Sequence, residues 1–361
     1  MPTTRPIPIV ACLAGDGIGP EVMAEAGRVI EAACTLFGTR VRQVHLPFGG
    51  EAIDRHQDPF PAHVRAAVKA SDAVLLGAVG GPRWDGSPRR PEEGLLALRK
   101  ELDAFANLRP VRDGEVDLIV VRELTGGLYF GKKELAADEA SDLCSYSRPQ
   151  IERVARWAFR LARRRSGRVV SVDKANVLAT SKLWRRVVSE LGAAEYPEIR
   201  LTHELVDSFA MTLATDPARH DVILTENLFG DILSDLAAAV GGGLGRAPSA
   251  SLGAQAPGIF EPVHGSAPDI AGQGEANPIA MILSVAMMFT YGLERRDIGR
   301  AITAAVDTVL EQGVATADQV SGGRAYATWE VGQAVCDALG DHASDSGEFA
   351  DHPYGEVLAH G

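Results

Sequence analysis

The chain reads as an α/β protein of two domains built on a mixed sheet, and three observations predict this. Short β-branched runs alternate with amphipathic segments of helical period along most of its length, the pattern of layered sheets and helices. Its 361 residues exceed what one hydrophobic core usually organises. The first strand feeds a glycine loop, GDGIG at 15–19, as strand–loop–helix units of such proteins do, although Pro20 stands where the Rossmann fingerprint needs its third glycine, so the loop is not that fingerprint.

Composition narrows the function. A hydrophobic share of 46% and a charged share of 23% are ordinary for a globular protein. The formal charge of -12, with no long basic run, argues against a nucleic-acid partner. Cys12, Cys34, Cys144 and Cys336 are scattered, without a C-x-x-C pair or a Cys/His cluster, and read as buried thiols rather than zinc or redox centres. The opening residues carry too short an apolar segment for a secretory signal. The longest apolar stretch, 278–293, is interrupted by Ser284 and Thr290 and falls short of the roughly 20 residues of a membrane span. A cytoplasmic protein without membrane contact is expected, with 278–293 as a core or subunit-interface helix.

Taken in order, residues 7–14 form a strand and the glycine loop opens a helix at Pro20 and Glu21, good residues for a first turn. The loop suits either an anion or a tight turn needing glycine dihedrals. A strand at 41–48, a helix at 61–70 and a strand at 73–79 lead into the long loop GGPRWDGSPRRPEEG, and loops of that length are usually functional. Helix 92–105 carries Leu95, Leu96 and Leu98, which on period alone read as core. Arg109 follows in a short extended piece stopped by Pro110. A strand at 117–121 runs into RELTGG, where the paired glycines predict a hairpin with Tyr129 on its far limb.

Beyond helix 149–165, a strand at 169–172 ends in DKANVLATS, placing Asp173, Lys174 and Asn176 at its carboxyl end, where α/β sheets bind ligands. A lysine there is either a solvated charge or, desolvated, a general base. Helix 181–191, strand 199–205 and helix 206–213 bring Asp207 to a further strand-to-helix junction. In DVILTENLFGDILSDL, a strand at 222–225 precedes a helix from 229, so Asp231 and Asp235 project from one face. Alone, that pair reads as a solvated acidic face; hard divalent metal binding is its functional reading. Residues 241–253 read as a glycine-rich loop, His264 as a lone histidine beyond a short strand, and helices at 278–293, 297–311 and 328–339 complete the fold. Residues 341–361 read as a polar, poorly ordered tail. The expected domains are 1–104 plus 243–361, and 105–242 inserted between them with the site in the intervening cleft.

Seven ordered blocks, GDGIGPEV, LLGAVGGPRWD, GLLALRKELDAFANLRP, VRELTGGLYFG, VSVDKANVL, TENLFGDILSDLA and EPVHGSAPDIAG with ANPIA, together resemble the isocitrate/isopropylmalate dehydrogenase family of metal-dependent β-decarboxylating dehydrogenases. The resemblance implies that family's two-domain fold and NAD-dependent oxidative decarboxylation of a 3-alkylmalate, 3-isopropylmalate first, as in leucine biosynthesis. It implies a homodimer with shared sites, in which Asp231 and Asp235 join the partner's Asp207 around Mg²⁺ or Mn²⁺. Arg99, Arg109 and Arg122 would clamp the substrate carboxylates. Lys174 with Asp207 would take the hydroxyl proton, and Tyr129 would protonate the enol. Cofactor contacts map to Ile18, Glu92, Asn176, His264, Gly265, Ala267, Asp269 and Asn277, with Asp269 favouring NAD over NADP because a carboxylate repels a 2′-phosphate. Leu95, Leu96 and Val177 would line an apolar pocket for the alkyl group, disfavouring the third carboxylate of isocitrate.

Three departures stand out. The segment between Arg109 and Arg122 is short, reading as a lost strand or helical turn; Glu93 replaces the family's threonine near the nicotinamide; and the chain after Gly313 matches weakly. They keep open a paralogue for another 3-substituted malate, with a longer alkyl or aryl group or resembling homoisocitrate or tartrate. Rivals of other classes are a catalytically silent subunit and a phosphate-binding protein using GDGIG; the first should have lost its acid, base or metal ligands, and the second needs no metal.

Overall fold

The computed structural model describes residues 7–320 and 322–343, which divide into two units: one up to Leu102 and again from Leu244, the other Asp103–Gly243. The first unit opens with β1 (Ile9–Gly15), α1 (Gly19–Leu36), β2 (Arg42–His45), α2 (Gly50–His56), α3 (Ala62–Lys69), β3 (Ala73–Ala78) and α4 (Pro91–Glu101). The second carries β4 (Ala106–Asp113), β5 (Val116–Glu123), β6 (Lys133–Leu135), β7 (Ala140–Asp142), α5 (Arg148–Ala162), β8 (Arg168–Asp173), α6 (Ala179–Glu195), β9 (Arg200–Leu205), α7 (Val206–Thr215), β10 (Val222–Thr225) and α8 (Asn227–Val240). The first then resumes with β11 (Pro248–Leu252), β12 (Gly258–Pro262), α9 (Ile279–Met287), α10 (Arg296–Glu311) and α11 (Thr328–Ala343).

Each unit has mixed pairing. In the first, strands run β2-β1-β3-β12-β11, parallel except where β11 meets β12. In the second they run β4-β5-β10-β8-β9, parallel except between β4 and β5. Central strands are apolar on both faces because helices cover both, as β3 and β10 show. In the second unit Val120, Val172 and Ile223 from the sheet pack with Phe209 and Leu213 of α7 and Leu233 and Ala237 of α8, which holds both helices against the strand ends.

Several expectations change. The extended piece carrying Arg109 is not stopped at Pro110: β4 continues through it and pairs with β5 along its whole length, with a tight turn at Gly114. The hairpin expected at the paired glycines is instead a tight 3₁₀ turn, Gly127–Tyr129, and the exposed strands β6 and β7 pair beyond it. Residues 248–252, expected in a loop, form the buried strand β11, whose small side chains fit where the glycine-rich lead-in suggested no order. The leucine-rich helix ends at Glu101, not 105, and α2 was not anticipated. Of the four cysteines, all free, only Cys12 is buried; the others are half-buried. Asp341, His342 and Ala343 still belong to α11, and the remainder of the expected tail lies outside the described residues. Among the described residues no helix is long and apolar enough to cross a membrane, and 279–287 is a core helix buried on nearly every side.

Candidate active site

The antiparallel β4–β5 pair sets out the basic half of the site in the second unit. Asn107 lies opposite Arg122 and Arg109 opposite Val120, so by strand alternation Arg109 and Arg122 are diagonal neighbours on one face. Both are buried, at 9% and 3% exposure, and a buried guanidinium must find partners. Arg109 donates to Asn107 Oδ1 (2.9 Å), Ser234 Oγ (2.6 Å) and Asp235 Oδ1 (3.1 Å), with Asp231 3.6 Å away. Arg122 donates Nε and Nη2 to Asn227 Oδ1 (3.0 and 2.8 Å) and Nη1 to Asp231.

Helix α8 supplies the acidic half. Glu226 caps it, accepting from Leu228 N (3.2 Å) and Phe229 N (2.8 Å), which satisfies orphan donors of the first turn. Gly230, Leu233, Ser234 and Ala237 face inward, so Asp231 and Asp235, one position on, lie along the rim of that face. Gly230 is required there. A Cβ would stand 2.6 Å from Arg122 Cγ, and glycine inside a helix otherwise costs about 1 kcal/mol. Tyr129, 39% exposed on its 3₁₀ turn, donates to Asp231 Oδ2 at 2.8 Å.

Electrostatics follow from these contacts. Burial opposes ionisation of Asp231, but the Arg122 charge, Tyr129 hydroxyl and Arg109 outweigh it and hold the carboxyl below the usual range. Burial, reinforced by Asp231, pushes the Tyr129 phenol up, so it keeps its proton at neutral pH. That is the state a general acid needs.

Elsewhere in this unit, Asp173 ends β8 almost fully buried, accepting from Ala175 N (2.8 Å) and bidentately from Arg185 (2.8 and 2.9 Å). It fixes the turn that carries Lys174, whose Nζ donates to Asp207 in the first turn of α7. That bond lowers the Asp207 carboxyl below its ordinary value. Asn176 and Val177, on the same turn, are exposed. Asp207 therefore stands with Lys174, not with Asp231 and Asp235, and among the described residues of one chain no three His, Cys, Asp or Glu side chains gather as metal ligands.

The first unit holds the remaining candidates. On α4, Pro91, Gly94 and Leu98 face the core, whereas Glu92, Leu95, Leu96 and Arg99 share the opposite stripe. Leu98 is thus the core leucine; Leu96 is 45% exposed. Arg99 donates to Glu261 Oε1 at 2.9 Å and keeps a buried Nε without a partner. Glu93 caps α4, accepting from Arg90 N and Arg89 Nε (both 2.9 Å), so its charge is already engaged.

The glycine loop proves to be a turn, not an anion cradle. Its Asp16 and Gly19 N–H groups donate to Ala78 O (2.8 Å) and Asp16 O (2.9 Å), and the Asp16 carboxylate reaches out of the loop to accept from Gly50 N (2.9 Å), Glu51 N (3.0 Å) and Gly80 N (2.9 Å). Ile18 is buried, and its N–H donates to Ser266 O at 2.8 Å, tying the loop to the HGSAPD segment. There the His264 ring bonds the Gly265 carbonyl through Nδ1 (2.9 Å). A carbonyl only accepts, so Nδ1 carries the proton and Nε2 is the acceptor. Burial lowers the ring's pKa, and Nε2 is left buried without a partner. Ala267 adopts a left-handed conformation (φ 36°), uncommon outside glycine and often seen at binding segments. A Cβ at Gly265 would meet open space, Asp269 is exposed, and Asn277 is fixed by Ile279 N (3.0 Å) and Asp318 (3.1 Å).

These donor sets suit the groups expected of them. Asp231 and Asp235 offer hard oxygen donors on a half-exposed rim, as Mg²⁺ or Mn²⁺ requires. The unpartnered His264 Nε2 and the open Gly265 suit a nucleotide. Asn107, Asn227, Gly230, Ser234 and Glu261 were missed from sequence; a glycine inside a helical pattern was the available signal for Gly230.

The isocitrate/isopropylmalate dehydrogenase family matches residues 9–335. A 3-isopropylmalate dehydrogenase of Bacillus thuringiensis is 53% identical over 325 residues, 86% of this chain and 91% of that protein. One from Shouchella clausii is 50% identical over 353 residues, 91% of this chain and 97% of the relative. Among solved structures, isocitrate dehydrogenase from Methylococcus capsulatus superposes with a TM-score of 0.84 at 36% identity, covering 92% of this chain and 99% of that one.

Proposed function

The chain belongs to the isocitrate/isopropylmalate dehydrogenase family, and from that premise we propose that it converts 3-isopropylmalate and NAD⁺ to 4-methyl-2-oxopentanoate, CO₂ and NADH, with a divalent cation. The convergence of Arg109, Arg122 and Tyr129 on Asp231 and Asp235 carries this reading, because it gathers anion clamp, protonated acid and cation ligands.

In this reading Arg109 and Arg122 bind a substrate carboxylate, exchanging it for the aspartates they now hold, and Arg99 binds with its free Nε. The alkyl group lies against Leu95 and Leu96, with Val177; burying it contributes about 2 kcal/mol, at roughly 0.8 per CH₂. Isocitrate would leave a carboxylate unpaired there. Lys174, acting as the neutral amine beside Asp207, accepts the hydroxyl proton as hydride leaves the carbinol carbon. His264, Asp269 and Asn277, with Glu92 and Asn176, would hold the nicotinamide cofactor, which would supply the hydride acceptor. Asp231, Asp235 and Asp207 of a second copy would hold the cation, which would supply positive charge against the negative charge that decarboxylation develops. Tyr129 then delivers its proton to the enolate carbon.

Because Asp207 stands apart from Asp231 and Asp235 within one chain, the reading requires a homodimer in which each copy lends Lys174 and Asp207 to the other. NADH formation from 3-isopropylmalate, longer 3-alkylmalates, isocitrate and tartrate, with Mn²⁺ and with chelator, tests it. Isocitrate outperforming every alkylmalate, or turnover without metal, would overturn it.

A further inference from the structure

Asn227 is the first residue of α8 and is 1% exposed. Its side chain bonds both the Arg122 guanidinium and the backbone of the turn carrying Tyr129. Oδ1 accepts from Arg122 Nε (3.0 Å) and Nη2 (2.8 Å), and Nδ2 donates to Gly126 O (3.1 Å), immediately before the Gly127–Tyr129 turn. Its backbone N–H donates to the Tyr146 hydroxyl at 3.0 Å, and that hydroxyl donates to Glu226 Oε2 at 3.1 Å. Amide, arginine and turn are therefore fastened to the start of the helix that bears Asp231 and Asp235.

We infer that Asn227 is a positioning residue that sets the rotamer of the carboxylate clamp Arg122 and, through Gly126, the height of the acid Tyr129. The chemistry explains why an amide stands there. A carboxylate would also grip the guanidinium, but it would quench the charge needed for substrate and could not donate to Gly126 O. A neutral acceptor occupies one edge of Arg122 and leaves its charge available to an anion, with Nη1 directed to the Asp231 side. Alanine or serine would be too short to bridge both partners.

The inference rests on the reading of Arg122 as clamp and Tyr129 as acid, so the test separates the two. Wild-type NADH formation from 3-isopropylmalate tests that reading. Asn227→Ala and Arg122→Lys, singly and combined, test Asn227. Lysine cannot make the paired bonds to Oδ1, so the double variant should be no worse in substrate KM than Arg122→Lys alone, each single variant raising KM about tenfold. Asn227→Ala should also lower kcat about tenfold through Tyr129, leaving the KM for NAD unchanged. Additive losses, or an equal rise in the KM for NAD, would mark a merely structural residue and overturn the inference.

Asn227→Asp, nearly isosteric, guards against a folding defect: its carboxylate should raise substrate KM beyond the alanine variant, and an unchanged KM would overturn the inference. Should wild type oxidise no malate, calorimetric binding of malate with Mg²⁺ carries the same cycle. There, non-additive losses of affinity support the positioning role, and additive ones refute it.

Discussion

Arg122 and Asp231 are ion-paired, and Tyr129 donates to the other oxygen of the same carboxylate at 2.8 Å. The groups proposed for substrate thus occupy those proposed for the cation. Either ligand entering alone would leave one member of the pair without its partner, the buried Arg122 or the half-exposed Asp231.

Cation and dicarboxylate should therefore bind cooperatively. Titration calorimetry should find Mn²⁺ bound about tenfold more tightly with malate present, and the reciprocal effect on malate. Equal affinities would show that the ion pairs are not exchanged.

Tyr129→Phe should lower kcat about a hundredfold or more, with substrate KM little changed. Because burial and Asp231 push the phenol up, wild-type activity should not fall through loss of the Tyr129 proton anywhere below the ordinary phenol range. A basic limb at neutral pH that disappears in the phenylalanine variant would contradict this.

The leucines of α4 should separate specificity from stability. Leu96→Ala removes an exposed side chain and should shift unfolding free energy by less than about 0.5 kcal/mol, while lowering kcat/KM for 3-isopropylmalate about tenfold. Leu98→Ala should cost about 2–5 kcal/mol in stability, since Leu98 is wholly buried. Denaturant melts and steady-state kinetics on both variants decide.

Sharing of sites predicts complementation. Lys174→Ala and Asp231→Asn should each be inactive alone, whereas co-refolded mixtures should recover up to about a quarter of wild-type activity, because half the dimers are mixed and each has one intact site. No recovery from verified mixed dimers would place all these residues in one chain's site.

His220 should govern acid sensitivity. It is buried against Phe209, with ring centroids 4.6 Å apart, and burial pushes its pKa down to about 4. A histidine depressed in the folded state takes up protons on unfolding between about pH 6.5 and 4, so stability falls as pH falls through that window, by up to about 3 kcal/mol. In His220→Phe this part of the decline in Tm should vanish.

What the sequence made legible was local. Strand and helix periods located most elements of both units, and the spacing of Asp231 and Asp235 put them on one helix face because helical geometry alone dictates it. What it concealed was tertiary. Nothing along the chain says that Arg109 faces Ser234, or that Gly230 yields to the stem of Arg122, since those contacts join residues more than a hundred positions apart. Leu96 and Leu98 differ by two positions and not in chemistry; only the direction of α4 decides which one is core. GDGIG suggested an anion because backbone N–H groups cluster at such loops, and here those of Asp16, Ile18 and Gly19 bond backbone carbonyls instead. Strand β11 escaped because small residues after glycines carry weak β preference, which burial overrides.

The short turn of the β4–β5 pair has a bearing on how such chains vary in length and how this one can be engineered. Gly114 takes φ 53° at the tip, with open space around it. Residues added at that tip lengthen a solvent loop and leave the pairing of Asn107 with Arg122 untouched. One residue added between Arg109 and the tip would instead force either a bulge or a slip that turns a guanidinium to the opposite face. The tip is therefore a place to graft a peptide or a reporter, and the strands below it are not.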